Sequence, residues 1–190
     1  TAHDMLHINQ QLLELSAEVH VDGDQVHPGA LIKDAIDKYQ EQLSQSKVSL
    51  DVNVAEGVHM FGGSERALVQ ALHNLFSNAV ESIKDEGLLS ITADNLRVNI
   101  RTPAYGSVIE VGNYVRISIS DTGEGISDDI KGKVFLPFFS TRKGAKNRGS
   151  GLGLSIVYRV VRAHKGHIDF QSAEGAGATF NLYFPAVAAI

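Results

Sequence analysis

Three short stretches contain side chains and glycines that could bind a charged, nitrogen-rich ligand. Residues 73–79 offer two amides, Asn74 and Asn78, from a predicted helix. Residues 121–126 place a carboxylate before a glycine turn, and residues 149–154 join three glycines to the start of another predicted helix. These groups supply a hard metal ligand, an acceptor for a base and a cradle for phosphate. Their ordered combination predicts a nucleotide site, which no single stretch would predict alone.

The two asparagines are four residues apart, so a helix projects Asn74 and Asn78 from one face, with Glu81 three residues further along that edge. Magnesium prefers oxygen ligands and often binds one protein oxygen together with substrate phosphates. The amide oxygen of Asn78 suits that role. Taken singly, either asparagine is better explained as a capping or packing residue.

Asp121 ends a predicted strand and precedes Gly123 and Gly125, which permit positive φ and close approach of a ligand. A carboxylate there could accept a hydrogen bond from an exocyclic amine such as adenine N6. Alone, the pattern favours a strand-to-helix turn in which Asp121 accepts from local amides.

The glycines of residues 149–153 precede a predicted helix whose free N–H groups and positive end could bind phosphate. Their spacing fits neither G-x-G-x-x-G nor G-x-x-x-x-G-K-[ST], which argues against Rossmann and P-loop sites. A glycine-rich loop alone could equally be a flexible linker. Arg142 and Lys143 just upstream favour phosphate binding, because they would neutralise its charge. Phe138 and Phe139 are expected to anchor the root of this loop.

The composition indicates an ordinary soluble chain with one main core: 190 residues, 43% hydrophobic and 21% charged. The absence of cysteine excludes disulfides, thiolate metal sites and a cysteine nucleophile. A net charge of −5 argues against a nucleic-acid surface. No apolar run approaches the roughly 18 residues of a membrane span, and no signal-peptide pattern is present. Because the chain starts inside a predicted helix, we expect a fragment of a longer protein.

Hydrophobic periodicity predicts the order helix, helix, strand, helix, strand, strand, helix, helix, strand, strand. This order favours an α+β two-layer sandwich with a mixed sheet. Residues 21–28 are interpreted as a linker, and residues 95–113 as a hairpin or an extended insertion. Strict alternation over residues 48–54 predicts a strand with one buried face. The helices are predicted at residues 2–18, 28–43, 64–83 with Gly87 as the stop, 128–134 with Ser127 as the cap, and 151–164.

Taken together, these residues make the chain resemble the catalytic ATP-binding domain of sensor histidine kinases, in the GHKL superfamily that also contains gyrase B and MutL. The details are most similar to the nitrogen-regulator and hybrid sensor-kinase branch. The resemblance implies the Bergerat fold, a two-layer α/β sandwich with a mostly antiparallel mixed sheet, helices on one face and an ATP lid at residues 138–150. It covers roughly residues 28–185 and rests on residues 74–79 (N box), 121–125 (G1), 135–138 (F box), 149–154 (G2) and 177–180.

By position, the resemblance implies Mg²⁺ at Asn78 with Asn74 in support, and adenine read by Asp121 with help from Thr179 through water. Lys143 would join Asn74 and Asn78 in catalysis by holding the phosphates. The full set of implied nucleotide contacts is Asn78, Asp121, Gly123, Gly125, Ile126, Thr141, Arg142, Lys143, Gly151, Leu152, Gly153 and Thr179.

Hydrolytic members of the superfamily carry Glu at the position of Asn74, so the resemblance implies transfer of phosphate from ATP to a histidine. His3 is a superficial match to a phosphoacceptor site, and His73 is expected to be structural or to contact the lid. We expect residues 1–20 to end a dimerisation domain and residues 21–190 to form the catalytic domain. The acceptor histidine is expected on a helix outside this chain, in a homodimer.

The implied partners are ATP, Mg²⁺, that helix and a response-regulator receiver domain, without nucleic acid or membrane contact. The implied location is the cytoplasm, with membrane attachment of the parent protein left open. Three alternatives remain: an ATPase-driven conformational machine of the gyrase kind, a degenerate nucleotide-binding module, and a serine or mitochondrial-type protein kinase on the same fold.

Overall fold

The computed structural model of the chain describes residues 21, 24–141 and 150–187. The predicted helix at residues 2–18 lies outside this part. The described part contains three α-helices, α1 (Pro28–Ser44), α2 (Glu65–Ser82) and α3 (Gly153–Ala163), and a short 3₁₀ helix at Lys131–Lys133. The strands are β1 (Gln25–Val26), β2 (Val48–Val54), β3 (Phe61–Gly62), β4 (Gly87–Val98), β5 (Thr102–Ala104), β6 (Ser107–Ile109), β7 (Gly112–Asp121), β8 (His167–Ser172) and β9 (Ala178–Pro185).

Five strands form the main sheet in the order β2-β4-β7-β9-β8. Only β2 and β4 pair in parallel, and the other three pairings are antiparallel. Two small antiparallel pairs, β1 with β3 and β5 with β6, lie outside this sheet. The helices pack on one face of the main sheet through a single large core. The predicted α+β two-layer fold with a mostly antiparallel mixed sheet is therefore confirmed.

Strand β7 shows how the two faces of the sheet differ. Its side chains alternate between the faces, so Val115, Ile117 and Ile119 are all buried in the core. The residues between them, such as Ser118 and Ser120, point to the opposite, polar face. Continuing the alternation by two residues places Asp121 on the core side, at the end of the strand.

The strand at residues 48–54 is present, but the prediction that one of its faces is buried was wrong. Leu50 and Val52 are 37% and 41% exposed. The reason is position: β2 is the edge strand, and only its ends, Val48 and Val54, pack against the core.

Two other boundaries differ from the predictions. Helix α2 ends at Ser82, and Gly87 begins β4 instead of stopping the helix. A Cβ at Gly87 would lie 2.7 Å from atoms of both Ile83 and Thr122, so glycine permits a close approach there. The helix predicted at residues 128–134 shrinks to one 3₁₀ turn. Residues 95–113 extend β4 and β7 and form the β5–β6 hairpin, which confirms the hairpin alternative.

His164 connects the ends of two helices that carry predicted site residues. Its Nε2 accepts a 2.9 Å hydrogen bond from the backbone N–H of Ser64, and its Nδ1 lies 2.7 Å from the carbonyl oxygen of Val160. The Ser64 side chain makes no capping hydrogen bond to α2. A neutral imidazole with Nδ1 protonated satisfies both contacts, and burial lowers the pKa of His164 below its usual 6.5.

This arrangement predicts a pH-dependent stability. Below pH 6.5 this histidine is protonated in the unfolded chain, whereas burial disfavours its protonation in the folded chain. The free energy of unfolding therefore decreases as the pH drops. Replacing His164 by Asn should lower the unfolding free energy at pH 7.5 by about 1–3 kcal/mol, because the Ser64 N–H loses its acceptor. Urea unfolding at pH 7.5 and 5.5 should show a smaller further loss in H164N than in the wild type. Equal pH dependence in H164N and the wild type would contradict this role.

Candidate functional site

The amides of α2 form one side of the candidate site. Asn74 is 8% exposed, and the Nδ2 atoms of both Asn74 and Asn78 are buried without a hydrogen-bond partner among the described residues. A Cβ at Gly153 would lie 3.5 Å from the Oδ1 of Asn74, so this amide faces the first residue of α3. Leaving a buried donor unpaired costs about 1–3 kcal/mol. Two such donors on one helix face indicate a place for an acceptor-rich ligand.

Asp121 lies beyond the other end of this helix face. It is 7% exposed, and its Oδ1 accepts hydrogen bonds from the Gly123 N–H at 2.8 Å and the Ser82 hydroxyl at 3.0 Å. Burial raises the pKa of Asp121 above its ordinary value, while donors on Gly123, Ser82 and Ala178 act in the opposite direction. The result is a buried acidic group held in one orientation. It could accept a further hydrogen bond from an amine.

Gly125 occupies a position in the turn after Asp121 that other residues could not fill. Its φ is +70°, and a Cβ there would lie 2.0 Å from the carbonyl oxygen of Ala173. The next residue, Ile126, donates its backbone N–H to the Ser172 hydroxyl at 2.8 Å. The turn is thereby fixed against the β8–β9 connection, with its backbone close to Asp121.

Gly151 has a similar conformation, with a φ of +68°, and a Cβ there would lie 2.6 Å from the backbone of Phe138. Leu152 is fully buried, and its N–H donates to the Ser150 hydroxyl at 3.2 Å. This N–H was expected to bind phosphate. In the structure it already donates to Ser150, so a phosphate would have to compete with that hydroxyl. Gly153 begins α3, where the first-turn N–H groups have no partners within the helix.

Thr179 is not brought to this side of the sheet. In the β7–β9 register, Asp121 pairs with Ala178, whereas Thr179 pairs with Ser120. The hydroxyls of Ser120 and Thr179 lie 2.8 Å apart on the polar face. Because neighbouring residues of a strand face opposite ways, Thr179 cannot approach the acid from this position. The position of Thr179 therefore does not fit the expectation that it helps Asp121 to bind adenine through water.

The loop that was expected to close the site is described only at its ends. Thr141 is exposed, and Arg142 and Lys143 lie outside the described residues. Phe138 is 65% exposed, with φ at +64°, so it does not anchor the loop as predicted. The anchor is Phe135, which is 5% exposed and lies 4.5 Å from Tyr105 and 5.8 Å from Phe170 between ring centres.

His73 has the structural role that was one of its two predicted roles. Its Nε2 lies 3.0 Å from the carbonyl oxygen of Ala35 on α1, and its ring packs near Tyr39 and Phe76. Sequence reasoning missed Ser82. The signal was available, because Ser82 follows Asn74 and Asn78 at the same four-residue spacing and so lies on the same helix face.

Among the residues that the structure describes, no helix is both long enough and apolar enough to cross a bilayer.

Comparison with known proteins identifies the family from the sequence. Residues 63–188 match the family of histidine kinase-, DNA gyrase B- and HSP90-like ATPases. The sensor histidine kinase ZraS of Escherichia coli strain K12 is 31% identical over 175 residues, which cover 92% of this chain and 34% of ZraS. The chain thus spans about a third of the length of that relative.

Two solved structures share the fold. Full-length ShkA in complex with AMPPNP superposes with a TM-score of 0.78 at 24% identity, covering 98% of this chain and 37% of ShkA. Histidine kinase ThkA in complex with the response regulator protein TrrA gives 0.72 at 22% identity, covering 98% of this chain and 48% of ThkA. At these identities the likeness shows the fold alone. With the match over residues 63–188, it follows that the chain belongs to the family of histidine kinase-, DNA gyrase B- and HSP90-like ATPases.

Proposed function

We propose that this chain is the ATP-binding catalytic domain of a sensor histidine kinase, which binds Mg-ATP and transfers the γ-phosphoryl group to a histidine. The observation that carries the proposal is the shared face of α2. The amide donors of Asn74 and Asn78 are buried without partners in the part of the chain that the structure describes. They lie in line with Ser82, which contacts the buried Asp121. ZraS is a named sensor histidine kinase, and ShkA was solved with an ATP analogue.

The helix sets the spacing between the two ends of the ligand. At about 1.5 Å per residue, Asn78 and Asn74 lie roughly 6 and 12 Å along the axis from Ser82. Adenine would lie at the Asp121 end, with its amine donating to the carboxylate. The phosphates would lie at the Asn74 end, next to the first turn of α3, whose N–H groups and positive dipole favour anions.

The donor set at the phosphate end fits Mg²⁺. Asn78 would contribute an amide oxygen, while its Nδ2, which has no partner within residues 24–141 and 150–187, would donate to a phosphate oxygen. Bound Mg²⁺ would supply neutralisation of the charge on the phosphates. Arg142 and Lys143, outside the described residues, would contribute further positive charge, with Lys143 and Asn74 completing the proposed catalytic set.

The proposed reaction is a phosphoryl transfer in which a bond forms between phosphorus and an imidazole nitrogen while the bond from phosphorus to the ADP oxygen breaks. Neutral imidazole is itself a nucleophile, so the site need not contain a general base. Asn74, unlike a glutamate, could not deprotonate a water molecule, which favours transfer over hydrolysis. The contribution of this chain would then be positioning and charge neutralisation.

The rest of the proposal concerns the longer protein. The acceptor histidine would lie on a dimerisation helix outside this chain, and a response regulator would receive the phosphate, as suggested by the ThkA–TrrA complex. We place the catalytic domain at residues 21–190 and the end of the dimerisation domain at residues 1–20. Pairing of Gln25–Val26 with Phe61–Gly62 supports a boundary before residue 25. Since ATP is the proposed substrate, we expect a cytoplasmic site of action.

A labelling experiment would test the proposed reaction. The chain is incubated with Mg²⁺ and [γ-³²P]ATP, together with the histidine-bearing helices of its parent protein as a separate polypeptide. We expect label on those helices that is stable in base and lost in acid, as for phosphohistidine. Steady release of free phosphate without labelled protein would instead indicate an ATPase. Acid-stable label would indicate a serine kinase, and ATP binding with neither product would indicate a regulatory module.

A further inference from the structure

Ser82 is the last residue of α2 and is attached to the Asp121 turn in two ways. Its carbonyl oxygen accepts a 3.1 Å hydrogen bond from the Glu124 N–H, and its hydroxyl lies 3.0 Å from the Oδ1 of Asp121. The same hydroxyl also donates to the carbonyl oxygen of Ala79 at 2.8 Å, so its one proton is shared between these two acceptors. A Cβ at Gly123 would come within 2.0 Å of the same hydroxyl, so the turn packs directly on it.

We propose that Ser82 determines the preference of this site for a 6-aminopurine by fixing the orientation of the Asp121 carboxylate. This inference rests on the proposed function, since it concerns the base of the same nucleotide. Ser82 acts here as a positioning residue, because it would touch the carboxylate and not the ligand.

The number of acceptor positions on the carboxylate explains how positioning produces selectivity. An ionised carboxylate offers about four lone-pair positions. Gly123 and Ser82 both donate to Oδ1, which accounts for the two lone-pair positions of that oxygen. The positions that remain are those of Oδ2, which can accept an N–H from a ligand. The 6-amino group of adenine presents such an N–H, whereas the 6-oxo group of hypoxanthine presents an acceptor that would face the carboxylate oxygen.

The residues of β9 next to Asp121 cannot orient its carboxylate in the way that Ser82 can. The residue of β9 that pairs with Asp121 is Ala178, whose side chain cannot form a hydrogen bond, and Thr179 lies on the opposite face of the sheet. The hydroxyl that contacts the Asp121 carboxylate therefore comes from α2.

Replacing Ser82 by Ala tests the proposal, and Ser44→Ala is a matched control. Ser44 is likewise the last residue of its helix, and its hydroxyl donates to the carbonyl oxygen three residues earlier at 2.7 Å. We expect S82A to bind ATP about tenfold more weakly by calorimetry, because a hydrogen bond to a charged group is lost. Affinity for ITP should change less than about twofold, so the ATP/ITP ratio should fall about tenfold. S44A should keep both affinities.

The pH profile of ATP binding supplies a readout that a purely structural role would not move. Loss of the Ser82 donor should raise the pKa of Asp121 further, so the acid limb of binding should shift to higher pH in S82A. The charged side chains flanking the turn, Lys84 and Glu124, form an ion pair with each other. On α2, Glu81 accepts from Ser77, and Asp85 lies in the turn that follows the helix. These groups are unchanged in S82A.

Equal losses for ATP and ITP, or an unchanged ratio and pH profile, would overturn the proposal and leave Ser82 as a structural helix end. Failure of the wild-type chain to bind either nucleotide would overturn the proposed function itself. The two failures are therefore distinguishable. Thermal unfolding of both variants establishes that the comparison is made between folded proteins.

Discussion

Replacing Asn78 by Ala is expected to abolish magnesium-dependent ATP binding while leaving the fold at least as stable as before. The loss of affinity should exceed about 100-fold, because loss of even an outer-sphere partner of a metal ligand commonly costs about 10–100-fold. The expected stability of N78A follows from the environment of the Asn78 amide. The Nδ2 of Asn78 is buried without a partner among the described residues, so its removal relieves a cost of about 1–3 kcal/mol.

Two measurements made together would check this prediction. Calorimetry with ATP, with and without Mg²⁺, reports the affinity, and urea unfolding in the absence of nucleotide reports the stability. Gln42→Ala removes an amide from an exposed position on α1 and should change neither quantity. Unchanged ATP affinity in N78A would refute the metal assignment. A large loss of stability would refute the interpretation that this buried amide destabilises the fold and serves ligand binding.

The sequence predicted best where a pattern depends on one element alone. Helix α2 was identified from its stripe of apolar residues, and the shared face of Asn74 and Asn78 follows from helix periodicity. Strand β7 was identified from alternation, which also placed Asp121 at its end. These patterns fixed the fold class and two sides of the site without knowledge of any distant contact.

Prediction failed where the outcome depends on contacts between distant parts of the chain. Thr179 and Ala178 are adjacent, and only the register of β9 against β7 decides which of them shares a face with Asp121. The contact between Ser82 and Asp121 joins residues 39 positions apart. The exposure of Leu50 depends on β2 lying at the sheet edge, which alternation cannot reveal. In each case the local pattern allowed several outcomes, and tertiary packing selected one.

Replacing Asp121 by Asn is expected to weaken ATP binding by about 10–100-fold, the equivalent of one hydrogen bond to a charged group. The amide has nearly the same shape as the carboxylate, so Oδ1 can still accept from the Gly123 N–H. Its other group then becomes an NH₂, which would face the 6-amino group of adenine with a donor opposite a donor. ITP, which presents an oxygen at that position, should lose much less affinity and could bind D121N better than ATP does.

The same substitution should stabilise the protein without nucleotide at pH 7. Burial raises the pKa of Asp121, so the folded chain binds a proton more readily than the unfolded chain does. Stability contributed by this group is therefore present at low pH and is lost as the pH rises through the folded-state pKa. At pH 7 the wild type carries the cost of a buried charge that D121N lacks. Urea unfolding should show higher stability of D121N at pH 7 and a smaller difference near pH 4.

Exposed Asp51 on β2 provides the control, since D51N removes a charge from the sheet edge without touching the site. It should keep the wild-type ratio of ATP to ITP affinity. An equal loss of ATP and ITP binding in D121N would show that the carboxylate supports the turn and does not read the base. Retained selectivity with lower stability would show that Asp121 is a structural residue of the strand end. Selectivity lost together with stability gained is the result that only a base-reading acid, buried at a cost to the fold, would produce.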